Sequence, residues 1–175
     1  IEAVDTVQVG SQVSGTIQSL GADFNSIVRK GQVLARLDPS LIQAEIERAR
    51  ANLLGAEAEV ERVNVQLADA QTKLGRATEL AARQLISTSD LDAAAIAQRT
   101  AEAQVKASAA QVTQARAALS QAQVSLQKTV ITSPIDGIVT RRNAEQGETA
   151  VVGTMTNAGT ILLQVAVDEI AHPPR

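Results

Sequence analysis

The chain is predicted to be an α+β protein: a small β sandwich split by a long antiparallel coiled-coil α-hairpin. Three observations predict this. The run Ser11-Gln-Val13-Ser-Gly15-Thr-Ile17 near the start recurs near the end as Ser133-Pro-Ile135-Asp-Gly137-Ile-Val139. Between these copies, residues 40–133 hold no proline and keep an apolar rhythm of seven. Aromatic residues make up only 1% of the 175, Phe24 alone. Ala, Val, Leu and Ile must therefore do the burying, which suits thin elements such as paired helices.

Residues 1–38 read as short strands. Val7, Val9, Val13 and Ile17 alternate with polar or small residues, so one face is buried. Gly10, Gly15, Gly21 and Gly31 punctuate the turns. At Asp38-Pro39-Ser40 the pattern changes. Asp is a good N-cap, and proline fits the first helical position because its missing N–H is not needed there.

The first helix carries its seam at Ile42, Ile46, Ala49, Leu53, Ala56, Val60, Val63, Leu67, Ala70, Leu74, Ala77 and Ala81. The alternation of four and three residues is a coiled-coil period. After Gln84-Leu-Ile-Ser-Thr88, a second seam runs through Leu91, Ala94, Gln98, Ala101, Val105, Ser108, Val112, Ala115, Leu119, Ala122 and Leu126. One seam site is mostly large and the next mostly small, so two helices approach closely. The short connection near 84–88 makes them antiparallel neighbours. At 1.5 Å per residue, each helix is a rod of roughly 60–70 Å.

Strand character returns over 129–153, with Val130, Ile131, Ile135, Ile138 and Val139. Residues 160–167 read as one further strand, and the tail to Arg175 as frayed. The expected domains are thus 1–38, a first β half; 39–128, the hairpin; 129–153, a second β half; and 154–175, a strand and tail.

Several function classes are excluded. The net charge is −3 with no basic block, which argues against nucleic-acid binding. Cysteine is absent, removing disulfides, Cys-zinc sites and thiol catalysis. His172, the one histidine, stands in a proline-flanked tail, so no transition-metal site is expected. Glu45, Glu57, Glu59 and Glu61 interleave with Arg48, Arg50 and Arg62, the usual solvated face of paired helices. No Gly-rich phosphate loop opens a helix. The chain is expected to be no enzyme and to hold no cofactor or metal. No apolar stretch is long enough to span a bilayer, and no leader or initiator Met is present, so a trimmed chain is expected, with any membrane anchor outside it.

The split repeat, over about 9–38 and 129–153, resembles the biotinyl-lipoyl fold, a flattened sandwich of two quasi-equivalent halves. In true carriers a lysine on the joining hairpin takes biotin or lipoate. Asp38-Pro39-Ser40 stands there instead, and no lysine lies between Lys30 and Lys73. A biotin or lipoate carrier is one alternative reading, and a purely structural, self-associating coiled-coil protein is another.

The order of β half, long heptad hairpin and β half resembles the periplasmic adaptor, or membrane fusion protein, family of tripartite efflux pumps. Gln12-Val-Ser-Gly15 and Gln146-Gly147 are most similar to its macrolide-exporter branch. The resemblance implies a periplasmic adaptor that associates with the inner membrane and forms a hexamer. It also implies two partners, an inner-membrane transporter of the ABC type and a TolC-like outer-membrane channel. The family's β-barrel and membrane-proximal domains are expected to lie outside this sequence, with a remnant of the barrel near Val165 to Ala171.

The resemblance assigns site residues too. Arg76-Ala-Thr-Glu-Leu80-Ala-Ala-Arg-Gln-Leu-Ile-Ser87 matches the family's channel-docking motif, implying docking roles for Arg76, Leu80 and Ser87. Arg76 and Leu80 share a helical face with Arg83, off the pairing seam. On the residues alone, Arg76 also reads as a solvated helix charge, and Ser87 with Asp90 as a cap for the second helix. Gln146, before Gly147 in a turn, corresponds to the glutamine that forms a gate ring in macrolide-type adaptors; otherwise it is a polar turn residue.

Overall fold

The computed structural model describes residues 6–152 and 159–167. The tail, including His172 and residues 168–171 of the expected barrel remnant, lies outside the described residues. The chain divides into two compact units, residues 1–44 with 122–175, and residues 45–121.

The first unit is a sandwich of eight strands: β1 (Thr6–Gly10), β2 (Gly15–Leu20), β3 (Ile27–Val28), β4 (Val33–Leu37), β5 (Val130–Thr132), β6 (Gly137–Arg142), β7 (Thr149–Ala150) and β8 (Ile161–Val167). They form two four-stranded sheets, in the orders β1-β8-β6-β3 and β5-β4-β2-β7, with antiparallel neighbours throughout. Inward-facing residues of both sheets make one core, with Leu34, Leu162, Leu163, Val139 and Val165 fully enclosed. Burial of such aliphatic side chains is worth about 1.5–3 kcal/mol each.

The halves match strand for strand. β2 pairs with β7 through Gly15↔Ala150, and β6 with β3 through Gly137↔Val28. Even the irregularity is repeated: the register slips between Ile17 and Ser19 in one half and between Val139 and Arg141 in the other. The repeated serines do the same work. Ser133 donates its buried hydroxyl to the Ile135 carbonyl at 2.7 Å, and Ser11 donates to the Val13 carbonyl.

β8 lies between β1 and β6, so the strand expected over 160–167 is present as Ile161–Val167 and is an integral part of the sandwich. The second half extends beyond 153, because ten residues separate β7 from β8 where four separate β3 from β4 in the first half.

Two helices leave and re-enter this chain order, α1 (Ser40–Ala82) and α2 (Thr88–Gln127). Asp38 caps α1, accepting the Ser40 amide at 2.9 Å and the Ser40 hydroxyl. Those two bonds, the hydroxyl first, hold the Asp38 carboxyl below its ordinary value. Every residue of both seams named above is buried or half-buried in a chain of mostly exposed helical positions. Within residues 45–121, Val63 and Ser108 are the deepest, 1% and 2% exposed. Glu57 meets Arg116 across the two helices at 3.6 Å. The outer face is laced by pairs one turn apart, such as Glu59–Arg62 and Glu102–Lys106. The hydrogen bond from Arg62 lowers the Glu59 carboxyl, and the one from Lys106 lowers Glu102. No helix among the described residues is long and apolar enough to cross a membrane.

Candidate docking tip and gate turn

At the hairpin tip, α1 ends in a left-handed residue, Gln84, with φ of 57°. Its amide bonds the Ala81 carbonyl at 2.9 Å, and the Leu85 amide reaches back to the Leu80 carbonyl at 2.9 Å. This pair of bonds is a Schellman stop, which usually carries glycine at the left-handed position. Three residues later Ser87 opens α2. Its hydroxyl accepts the Asp90 amide at 3.2 Å and donates to the Asp90 carboxylate at 2.7 Å. The same carboxylate receives the Ser87 amide at 3.4 Å, a reciprocal capping box.

Between stop and start, the backbone is held tightly and the side chains are presented. Arg76, Arg83 and Ser87 are exposed, Leu80 is 40% exposed and Leu85 65%. Leu74, Ala77 and Ala81, on the seam, are half-buried, so Arg76 and Leu80 are spared from pairing. Among the described residues no ion pair uses Arg76 or Arg83. The tip thus offers free guanidinium groups beside apolar side chains, with Ser87 across the turn. Leu85 was not singled out by sequence reasoning; its signal was an apolar residue inside a loop of five.

The second site is in the β unit. Glu145-Gln146-Gly147-Glu148 forms a turn in which the Glu148 amide bonds the Glu145 carbonyl at 3.2 Å. Gly147 has φ of 88°, the third-position geometry of a type II turn, where glycine is favoured. The Glu145 amide donates to the Glu148 carboxylate at 3.0 Å. Two further bonds pin the turn to β2, Gly147 N–H to the Ile17 carbonyl and Ile17 N–H to the Glu148 carbonyl, both 2.9 Å. Gln146 stands exposed at the apex.

The first half builds the same turn from different residues, Asp23-Phe24-Asn25-Ser26. The Ser26 amide bonds the Asp23 carbonyl at 3.1 Å, the Ser26 hydroxyl accepts the Asp23 amide at 3.1 Å, and Asn25 takes the left-handed place with φ of 63°. Asn25 and Ser26 pin it to Val139 as Gly147 and Glu148 pin theirs to Ile17. Phe24, the only aromatic residue, is therefore the counterpart of Gln146.

The chain is similar to known proteins. Residues 5–162 match the family model described as the RND membrane fusion protein barrel-sandwich hybrid domain. The chain is 34% identical to the macrolide export protein MacA of Yersinia pestis over 97% of its length, covering 47% of that protein. It is 36% identical to the membrane fusion protein MtrC of Neisseria gonorrhoeae over 92% of its length, covering 36% of that protein. The crystal structure of MacA from Actinobacillus actinomycetemcomitans superposes with a TM-score of 0.80 at 26% identity, over 94% of this chain and 52% of that one. The chain spans about half the length or less of the curated relatives it matches. With a split sandwich, a helical hairpin inserted between its halves and a family match over most of its residues, the chain belongs to the membrane fusion proteins of bacterial efflux pumps.

Proposed function

We propose that this chain is the channel-facing and conduit-forming part of a periplasmic adaptor in a tripartite efflux pump. Its helices pair as an antiparallel coiled coil, a reading supported by the buried and half-buried heptad seams and the Glu57–Arg116 pair. The hairpin tip docks on a TolC-like outer-membrane channel through Arg76, Leu80 and Ser87. The single observation that carries this is the pair Arg76 and Leu80, exposed at the tip and not used to hold the hairpin together. Ser87 serves twice, as the cap of α2 and as an exposed hydroxyl for the partner.

The β units assemble into a hexameric ring, in which Gln146 amides donate to and accept from one another and gate the conduit. The inner-membrane partner is a transporter of the ABC type, by likeness to the macrolide export proteins; the RND name of the matched domain makes an RND transporter the second reading. The adaptor itself performs no catalysis and carries no cofactor, and it resides in the periplasm.

Arg76→Asp and Leu80→Asp are expected to weaken capture of the channel about tenfold or more while far-ultraviolet circular dichroism stays unchanged. Capture equal to the unaltered chain overturns the docking assignment. Gln146→Ala is expected to raise backflow in a reconstituted pump; unchanged backflow removes the gate. Co-purification with an ABC or an RND transporter decides between the two inner-membrane partners.

A further inference from the structure

The quasi-symmetry of the sandwich makes its two short edges comparable, and they are not alike. β3 and β7 are equivalent strands, and among the described residues each is paired on one side only, β3 with β6 and β7 with β2. Directly after β3 stand Arg29 and Lys30, both exposed, and among the described residues neither is in an ion pair. Asp23 on this edge is already met by Arg142 at 3.5 Å, and Asp136 accepts the Lys30 amide at 2.8 Å. Around β7, residues 143–152 carry Glu145 and Glu148 and no cation. Each edge also exposes apolar side chains, Phe24 at 67% and Ile27 at 72% on one, Val151 at 53% on the other.

Like edges repel when brought together, and unlike edges attract. Exposed apolar side chains flanked by charge are the usual composition of a contact surface. Each edge strand is only two residues long, so side chains and not backbone pairing decide what binds.

We propose that the cationic β3 edge of one copy of this chain docks against the anionic β7 edge of the next. The contact is head-to-tail, and head-to-tail contacts generate rings or open filaments, never closed two-fold dimers. It deepens the adaptor reading above, resting on it for the ring, and names the surfaces by which neighbouring copies recognise each other. It also places the Phe24 turn of one copy on the same contact as the Gln146 turn of its neighbour.

The absence of native cysteine gives a clean test. Ile27→Cys and Thr149→Cys place one exposed thiol on each edge at equivalent positions. The two purified variants, each unfolding like the unaltered chain, are mixed and treated with a short bismaleimide. The mixed product is expected to exceed either self-product by about tenfold, because unlike edges alone are complementary. It is expected to fall by about tenfold at about 1 M salt, where the Debye length is near 3 Å. Arg29→Glu with Lys30→Glu in the Ile27→Cys chain should abolish it, and Glu145→Lys with Glu148→Lys in the Thr149→Cys chain should restore it. Equal amounts of all products, no product, or a mixed product indifferent to charge reversal overturns the proposal. Capture of the outer-membrane channel by the unaltered chain is read separately. Capture without the mixed cross-link sinks the edge contact alone, and the cross-link without capture sinks the docking role alone.

Discussion

The two halves of the β unit have the same strands, the same register slip and the same pinned turn, yet their equivalent residues are under different constraints. Gly137 and Gly15 open matching strands. A side-chain carbon on Gly137 would sit 2.0 Å from the Ala166 carbonyl oxygen, inside any contact distance, whereas one on Gly15 would sit 3.5 Å from Leu37 Cβ, an ordinary contact. The left-handed turn position holds Gly147 in one half and Asn25 in the other. Its apex holds Gln146 in one and Phe24 in the other. Symmetry of backbone thus coexists with asymmetry of demand: the fold repeats the hydrogen bonds and leaves side chains at exposed positions free to diverge.

The sharpest break in this comparison is Gly137→Ala. It is expected to cost about 3 kcal/mol or more in urea unfolding, since the strand must move away from β8, while Gly15→Ala stays within about 1 kcal/mol. Equal losses would mean that the halves are equally tight. Next comes the turn. Gly147→Ala is expected to lose about 1–2 kcal/mol, the cost of a left-handed alanine, and Asn25→Gly to shift stability by no more than about 0.5 kcal/mol in the same assay. Phe24→Gln, which makes the first apex like the second, is expected to leave the unfolding free energy unchanged within about 0.5 kcal/mol, because Phe24 is 67% exposed.

The smallest effect is at Asp38, whose counterpart Ala166 continues a strand while Asp38 caps a helix. The Asp38 carboxyl is depressed in the folded protein by its bonds from Ser40, from an ordinary value of 3.8. Its contribution is fully present above that unfolded value and is lost as pH falls through the lower folded value. Asp38→Asn is therefore expected to flatten the fall of thermal stability with acid below about pH 4, and to do nothing to its slope at neutral pH.

Much of this was legible in the residues. The heptad seams were readable because a helical face repeats its demand every turn, and every seam residue is buried or half-buried. The Ser11 and Ser133 copies were readable because both use the same buried hydroxyl bond. The paired turns were not. Asp-Phe-Asn-Ser and Glu-Gln-Gly-Glu share almost no side chains, and a serine hydroxyl and a glutamate carboxylate make the same bond to the backbone. Equivalence at that level lies in main-chain geometry, which composition does not encode. The strand over 160–167 was readable from its apolar run, but its kinship with β4 was not, because ten residues separate β7 from β8 where four separate β3 from β4. At the tip, the place of the turn near 84–88 was readable, but Gln84 stands where glycine is the usual signal, so the left-handed form of the stop was not.

β4 and β5 are hydrogen-bonded neighbours although the whole hairpin separates them in the chain, and Leu37 and Thr129 are tied at 2.9 Å just where the helices begin and end. The stitch is indifferent to what it encloses. Lengthening a closed segment costs only about 0.6 kcal/mol per doubling, and each added heptad on both helices brings its own seam contacts. Hairpin length is in that sense a quantity that evolution or an engineer can reset in seven-residue notches without redesigning the sandwich.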